Sequence, residues 1–142
     1  MDSPIQQEKT SKFESSTTFE EIRNKIENFA TERDWNQFHS PRNLALALTG
    51  EVGEVCEIFQ WKDKVSDGVP ELSDKEKTHL AQEISDVLIY TIRLADKCGI
   101  DLPIEVMKKI ELNAKKYPVE RVKGCNKKYN EYEEYDSSKT DY

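Results

Sequence analysis

The chain has 142 residues, of which 28 are acidic and 21 basic, giving a formal net charge of −7. This balance argues against a protein that binds nucleic-acid grooves, because such proteins carry basic patches. It is compatible with a nucleotide substrate, since a bound metal ion can supply positive charge. The length and the hydrophobic fraction of 36% indicate one domain with a strongly charged surface.

No apolar run approaches the roughly 20 residues that span a bilayer, and residues 1–16 contain no apolar signal core. The three cysteines match no zinc or redox spacing. We interpret them as reduced thiols of an intracellular protein, with Cys56 and Cys98 buried and Cys125 unassigned. We expect a cytosolic protein without a membrane partner, leaving nucleus and mitochondria open as alternatives.

The N-terminal residues 1–16 are polar, rich in Ser and aperiodic, which predicts a disordered leader. Thr18 followed by Glu21 forms a capping-box pattern. A first helix is therefore expected from near Thr18 to residues 32–34, with apolar residues recurring at helical spacing. These apolar residues are Phe19, Ile22, Ile26 and Phe29.

A second helix is predicted to begin at Pro41, because Ser40 is a good N-cap and proline suits the first helical position. We expect it to run to about Trp61. Residues 62–72 form a loop, marked by Asp67 before Gly68 and by Val69 before Pro70.

A third helix is predicted from about Asp74 to Cys98, with Ser73 and Glu76 as a capping box and Gly99 as the C-cap residue. A fourth helix should follow from Asp101 to about Lys116, where Pro118 stops it.

These elements predict one all-α domain over residues 17–118, built as a four-helix bundle. Residues 119–142 are rich in Lys, Tyr, Glu and Ser and have no core pattern. We expect them to form a polar flexible tail, mobile or ordered in part against a neighbouring subunit.

Two pairs of carboxylates interrupt the apolar stretches of the second and third helices. Glu51 and Glu54 are three residues apart, as are Glu83 and Asp86, so each pair shares a helix face. Ionised carboxylates are costly to bury unless positive charge meets them. If the two helices pack antiparallel, the pairs meet at the border of the core. They would then form an oxygen-rich site for a hard divalent cation, which we expect to be Mg²⁺.

Helical phase separates these carboxylates from their neighbours. Glu51 lies at the edge of an apolar stripe, with Glu54 beside it and Glu57 on the other side of the helix. On the third helix, Glu83, Asp86 and Tyr90 line one margin of an apolar arc. The apolar stripe of the second helix comprises Leu44, Leu48, Val52, Val55 and Phe59. The apolar arc of the third helix comprises Leu80, Ile84, Val87, Leu88, Thr91 and Ala95.

The alternative is that the carboxylates are charged residues on solvated helix faces. The chain would then be a helical interaction protein without enzymatic activity. The position of Glu51 within an apolar stripe favours the metal site.

Aromatic residues cluster in the same part of the chain. Trp35, Phe38 and His39 lie in the first loop, Trp61 closes the second helix, and Tyr90 lies on the third. Aromatic rings near a metal site suggest a flat ligand held by stacking, and His39 can hydrogen-bond its edge. Core or interface positions for the two tryptophans, and a packing or capping role for His39, are the alternatives.

The fourth helix carries Lys109, Asn113 and Lys116 on one face. Such a stripe can bind phosphate oxygens, although the pattern alone favours a solvated basic face near a helix C-terminus. The sequence contains no Gly-rich phosphate loop. It also contains no Ser/His/Asp or Cys/His arrangement for covalent catalysis.

The chain resembles the MazG-like all-α nucleoside triphosphate pyrophosphatases in three stretches: ERDWNQFHSPRNLALALTGEVGEVCEIFQWK at 32–62, QEISDVLIYTIRLADKCGIDLP at 82–103 and NAKKYP at 113–118. The resemblance covers about residues 18–118. Its ExxE and ExxD pairs and its DWxQFHxPRNL motif are specific. Within the family, the chain is most similar to eukaryotic members that act on dCTP.

The resemblance implies a Mg²⁺-dependent hydrolase that cleaves dCTP, and modified cytosine deoxynucleotides, between the α and β phosphates for nucleotide-pool sanitation. Its metal ligands and catalytic residues match Glu51, Glu54, Glu83 and Asp86. A carboxylate such as Glu51 or Glu54 is expected to orient the attacking water. The implied substrate-binding residues are Trp35, Asn36, Gln37, Phe38, His39, Trp61, Tyr90, Lys109, Asn113 and Lys116.

The resemblance also implies a homo-oligomer, a tetramer built from two tight dimers, and no nucleic-acid polymer as partner. The sequence departs from this subgroup at Ile26, where the vertebrate enzyme has a histidine near the substrate. Base selectivity is therefore less firmly implied than the metal site. A preference for dUTP or non-standard purine nucleotides is the alternative.

Overall fold

The computed structural model describes residues 12–124. The predictions for residues 1–11 and 125–142, which include most of the leader and the tail as well as Cys125, lie outside this range. Within it every regular element is a helix, which confirms the all-α prediction. The helices are α1 (Phe19–Glu32), α2 (Pro41–Phe59), α3 (Asp74–Lys97), α4 (Leu102–Lys116) and α5 (Val119–Val122).

The helices begin where the sequence predicts caps. Thr18 accepts the backbone N–H of Glu21, and Ser40 accepts that of Asn43. At α3, Ser73 and Glu76 form a complete capping box, because each side chain also bonds to the other residue's backbone. Gly99 follows α3 with a φ of 66°, a left-handed conformation that glycine adopts without steric cost.

A further short helix, Val119–Val122, lies in the segment predicted as tail. Pro118 precedes it with a φ of −60°, which suits the entry to a helical turn. Contacts between Cα atoms divide the chain after Ile100 into two units, with α1 to α3 in the first and α4 and α5 in the second. The domain limits expected after residues 16 and 118 stay predictions.

In the first unit, α2 packs along α3, and α1 packs against α3. Lys62, just after α2, forms an ion pair of 2.8 Å with Glu76 at the start of α3. At the opposite end, Arg93 near the end of α3 donates a hydrogen bond of 3.1 Å to His39, just before α2. The two helices are therefore antiparallel, as the placement of the carboxylate pairs requires.

The buried apolar core of this unit is small and consists of Ala30, Leu44, Leu72, Leu80, Ile92 and Ala95. Of the predicted apolar stripe and arc, only Leu44, Leu80 and Ala95 belong to it. Val52, Ile84 and Leu88 are exposed, at 46%, 53% and 42%, and the other positions are half-buried.

The prediction that Cys56 and Cys98 are buried is wrong, since both are exposed. Cys56 lies on α2 beside the exposed Glu57, and Cys98 lies at the exposed end of α3. Among the described residues, no helix is long and apolar enough to cross a membrane.

Candidate metal centre

Antiparallel packing brings three of the four predicted carboxylates together. Glu51 on α2 and Glu83 and Asp86 on α3 each offer an oxygen, and these oxygens all lie within 4.8 Å of one another. The spacing of three puts Glu83 and Asp86 on one face of α3, and α2 supplies Glu51 from across the helix interface. Hard carboxylate oxygens in this arrangement suit a divalent cation.

Glu83 is the most buried of these carboxylates, with only 8% of the residue exposed. Its Oε1 lies 2.9 Å from Nε2 of His79, one turn earlier on α3. Its Oε2 is buried and has no hydrogen-bond partner among the described residues. A buried carboxylate oxygen without a donor is costly. A cation would satisfy it, so the residues present fit a metal ion.

The four carboxylates form one electrostatic group. Burial, and then the charges of Asp86 and Glu83, raise the pKa of Glu51. A side-chain contact with the Glu83 carboxylate is the main cause that raises the pKa of Glu54, which is exposed. Glu54 therefore adjoins the converging trio, as the sequence predicted. Glu57 is exposed, and its charge has only a minor effect on the pKa of Glu54.

Tyr90 lies beside this centre on α3. Burial raises the pKa of its phenol, and the charges of Glu51 and Asp86 raise it further. Residues of α3, including Glu83 and Asp86, also line an open depression of about 550 Å³. Its lining is Thr78, Ala81, Gln82, Glu83, Ser85 and Asp86.

The loop between α1 and α2 holds a second group of predicted residues. The Trp35 ring stands edge-on to Phe29, with centroids 5.7 Å apart, and to His39, with centroids 6.2 Å apart. Its backbone N–H donates to the carbonyl of Ala30. Trp35 is partly exposed, so one aromatic surface of the loop is open to a ligand.

The other loop residues divide into fixed and exposed positions. Asn36 is half-buried and hydrogen-bonds to both α1 and α3. Gln37 donates to the Asp34 side chain at 2.9 Å. Phe38 has an exposed ring, while its carbonyl accepts the Asn43 side chain.

Arg93 is a residue that the sequence reasoning missed. It is 2% exposed and donates to side chains of α1 and of the loop. The signal available in the sequence is its charge within the apolar run IYTIRLA, seven residues after Asp86 and so on the same helix face.

The remaining predicted substrate residues are not brought to this group by contacts that the structure describes. Trp61 lies just after α2 and is 87% exposed. Lys109 and Asn113 are exposed and Lys116 is half-buried on α4, in the second unit. Their contacts with phosphate stay predictions.

The fold and the site define an all-α protein with a carboxylate metal centre between two antiparallel helices. The sequence model of the MazG-like family matches residues 47–132. The chain is 47% identical to human dCTP pyrophosphatase 1 over 119 residues, which are 84% of this chain and 70% of that protein. It is 49% identical to the protein of the same name from Bos taurus over 117 residues, which are 82% and 69% of the two chains.

Among solved structures, a pyrophosphatase from Archaeoglobus fulgidus is similar, with a TM-score of 0.64 and 37% identity. The match covers 75% of this chain and 99% of that one. The chain belongs to the MazG-like family, which confirms the resemblance seen in the sequence.

Proposed function

We propose that this protein is a metal-dependent pyrophosphatase that hydrolyses dCTP, and modified cytosine deoxynucleotides, to the monophosphate and pyrophosphate. The observation that carries the proposal is the cluster of Glu51, Glu83 and Asp86, together with the buried Oε2 of Glu83, which has no donor among the described residues. The similarity to proteins named dCTP pyrophosphatase 1 supports the choice of substrate.

Mg²⁺ is the ion we propose for this centre, held by Glu51, Glu83 and Asp86 with Glu54 beside them. When bound, the ion offsets the charge of the triphosphate and of the departing pyrophosphate. Glu54 is exposed and lies outside the converging trio. These features support a role for its carboxylate in orienting a water molecule for attack on phosphorus.

The loop of residues 35–39 and Tyr90 are the groups we propose for base and sugar. Trp35 supplies a partly exposed ring, and His39 stands against that ring. Tyr90 lies on α3 between Asp86 and Arg93, which contacts this loop, and the charges of Glu51 and Asp86 act on its phenol. Trp61, Lys109, Asn113 and Lys116 are proposed to complete the contacts with the nucleotide.

Pyrophosphate release tests the proposal directly. Glu54→Ala and Asp86→Ala should each abolish pyrophosphate release from dCTP while circular dichroism shows the helices intact. Glu57→Ala is the matched control, because it removes an exposed carboxylate at the same spacing on α2. Near-normal turnover of Asp86→Ala at saturating Mg²⁺ contradicts the metal assignment, and near-normal turnover of Glu54→Ala contradicts its proposed role at the attacking water.

A nucleotide panel, assayed with and without Mg²⁺, separates the proposed substrate from dUTP and non-standard purine triphosphates. The alternative of a non-enzymatic helical protein makes a different prediction. In that case a non-hydrolysable dCTP analogue with Mg²⁺ leaves the melting temperature unchanged.

We also propose that the protein is a homo-oligomer, and specifically a tetramer. Apolar side chains on α2 and α3 that no other described residue covers support an interface, with Leu46, Val52, Ile84 and Leu88 all exposed. Light scattering should give the mass of four chains. Ile84→Asp should lower that mass, whereas Lys75→Asp, an exposed change at the start of the same helix, should not. A monomeric wild-type protein at micromolar concentration contradicts the assignment.

A further inference from the structure

Arg93 joins α3 to the loop that we assign to the base. Its Nε donates to Nδ1 of His39 over 3.1 Å, and its Nη2 donates to Oδ1 of Asn36. Its Nη1 donates to Glu27 and, over 3.3 Å, to Asp96. Since the residue is only 2% exposed, every polar edge of this guanidinium is directed at a protein acceptor.

This contact decides which nitrogen of His39 carries the proton. A guanidinium has donors only, so Nδ1 of His39 must be an unprotonated acceptor. In a neutral ring the hydrogen then resides on Nε2. Burial, followed by the charges of Arg93 and Lys97, lowers the pKa of His39, so the ring is neutral at pH 7.

Asn36 is fixed by protein partners on both sides of its amide. Its Oδ1 accepts from Arg93 and, over 3.1 Å, from Lys97. Its Nδ2 donates to Oγ1 of Thr31 over 3.0 Å and to Glu27 over 3.3 Å. The side chain of Asn36 therefore braces the loop between α1 and α3, and His39 is left to face a ligand.

Arg93 lies on the same helix as two of the carboxylates of the metal centre. Arg93 follows Asp86 by seven residues, which is two helical turns and about 10 Å along the axis. Tyr90 lies between them on the same face. One face of α3 thus carries the metal ligands and, further along, the residue that orients the loop.

We propose that Arg93 is a positioning residue that holds His39 as the Nε2–H tautomer, so that the loop presents one fixed N–H donor to the pyrimidine ring. This inference rests on the proposed function, because it takes the loop as the base site. The acceptor is O2 or N3 of the base. Cytosine offers both, whereas N3 of uracil carries a hydrogen and cannot accept.

The tautomer can be read by nuclear magnetic resonance without any catalysis. His39 and His79 are the two histidines of the chain, so His79→Gln leaves one histidine to observe. The ¹⁵N spectrum at pH 7 should show a protonated Nε2 and an unprotonated Nδ1. Adding Arg93→Lys should give a mixture of tautomers. A protonated Nδ1 or a charged ring with Arg93 intact overturns the proposal.

The kinetic test separates positioning from stability. Arg93→Lys should raise the KM for dCTP about tenfold, the scale of one lost hydrogen bond, and leave kcat within about twofold. The matched control is Asp96→Asn, which removes the negative charge of another partner of Arg93 and leaves the bond to His39 in place. An equal KM for both variants, or a loss confined to kcat, overturns the proposal.

The dUTP arm of the assay identifies the acceptor. A KM increase for dCTP alone assigns N3, and an equal increase for dUTP assigns O2; both support the positioning role. If Arg93→Lys does not fold, the ¹⁵N spectrum of the His79→Gln chain with Arg93 intact tests the proposal by showing which nitrogen of His39 is protonated. A wild-type protein that releases no pyrophosphate contradicts the proposed function, while the tautomer measurement still tests the structural part of the inference.

Discussion

Glu27 on α1 accepts a hydrogen bond from the guanidinium of Arg93 on α3, and this ion pair joins two helices that are distant in the sequence. The same glutamate accepts from Thr31 at 3.1 Å. Together with the hydrogen bond from Asn36, these contacts lower the pKa of Glu27 to about 2, with Arg93 as the main cause. The ion pair between α1 and α3 therefore requires an ionised Glu27.

Glu27→Gln should lower the free energy of unfolding at pH 7. Because the folded-state pKa of about 2 is below the ordinary 4.5, the stabilisation is complete above pH 4.5 and is lost as the pH falls towards 2. Urea midpoints of wild type and variant should therefore converge below pH 4.5. Glu111→Gln, at an exposed position on α4, is the control and should show little difference at any pH. A gap between wild type and Glu27→Gln that does not change with pH contradicts this assignment.

Glu51→Gln should raise the melting temperature of the metal-free protein at pH 7. Burial and two neighbouring carboxylates raise the pKa of Glu51, so its ionised form costs stability, and that cost grows as the pH rises through its titration range. The variant should also lose most of the stabilisation that Mg²⁺ gives the wild type, because one ligand is removed. Differential scanning calorimetry with EDTA and with Mg²⁺ measures both effects.

Glu57→Gln is the comparison for this experiment, since it neutralises an exposed carboxylate on the same helix. It should leave both melting temperatures close to those of the wild type. A Glu51→Gln protein that retains the full Mg²⁺ shift shows that Glu51 is not a ligand.

Trp61→Ala should raise the KM for dCTP by about tenfold, within the range of one lost stacking contact with a base. The ring is 87% exposed, so the substitution should leave helicity and the unfolding midpoint almost unchanged. Phe13→Ala removes an equally exposed ring near the N-terminus and should leave KM unchanged. An unchanged KM for Trp61→Ala assigns that residue to a structural or interface role.

Ser73→Ala should destabilise the protein by about 1 kcal/mol, the usual effect of removing a serine N-cap. The loss follows because the capping box bonds at the start of α3 disappear. Ser85→Ala provides the contrast on the same helix, since alanine is the better residue inside a helix. In chemical denaturation, the free energy of unfolding of Ser73→Ala should be lower than that of the wild type. That of Ser85→Ala should be equal to the wild type or higher.

Local features predicted the helix starts well. The signals are the serine and threonine caps, Pro41 in the first turn of α2 and Gly99 after α3. Each of them influences only the few residues around it, so the local sequence is enough to predict these helix boundaries. The predicted end of α2 at Trp61 was two residues late, since the helix ends at Phe59. The sequence contains no strong stop signal there, and helix ends fray.

Helical phase predicted which residues share a face but not which faces are covered. It placed Ile84 and Leu88 on the apolar arc of α3, yet both are exposed in this chain. The separate expectation that Cys56 and Cys98 are buried is wrong as well. Burial depends on what packs against a face, and periodicity contains no information on the partner.

The sequence by itself determined that Glu51 and Glu54 share one helix face and that Glu83 and Asp86 share another, because the 3.6-residue period fixes both relationships. Only the tertiary structure decided that Glu51, Glu83 and Asp86 converge and that one buried Glu83 oxygen has no donor within residues 12–124. It alone also assigned Arg93 its partners on α1 and in the loop. These contacts join segments far apart in the chain, and their geometry is set by helix packing rather than by local spacing.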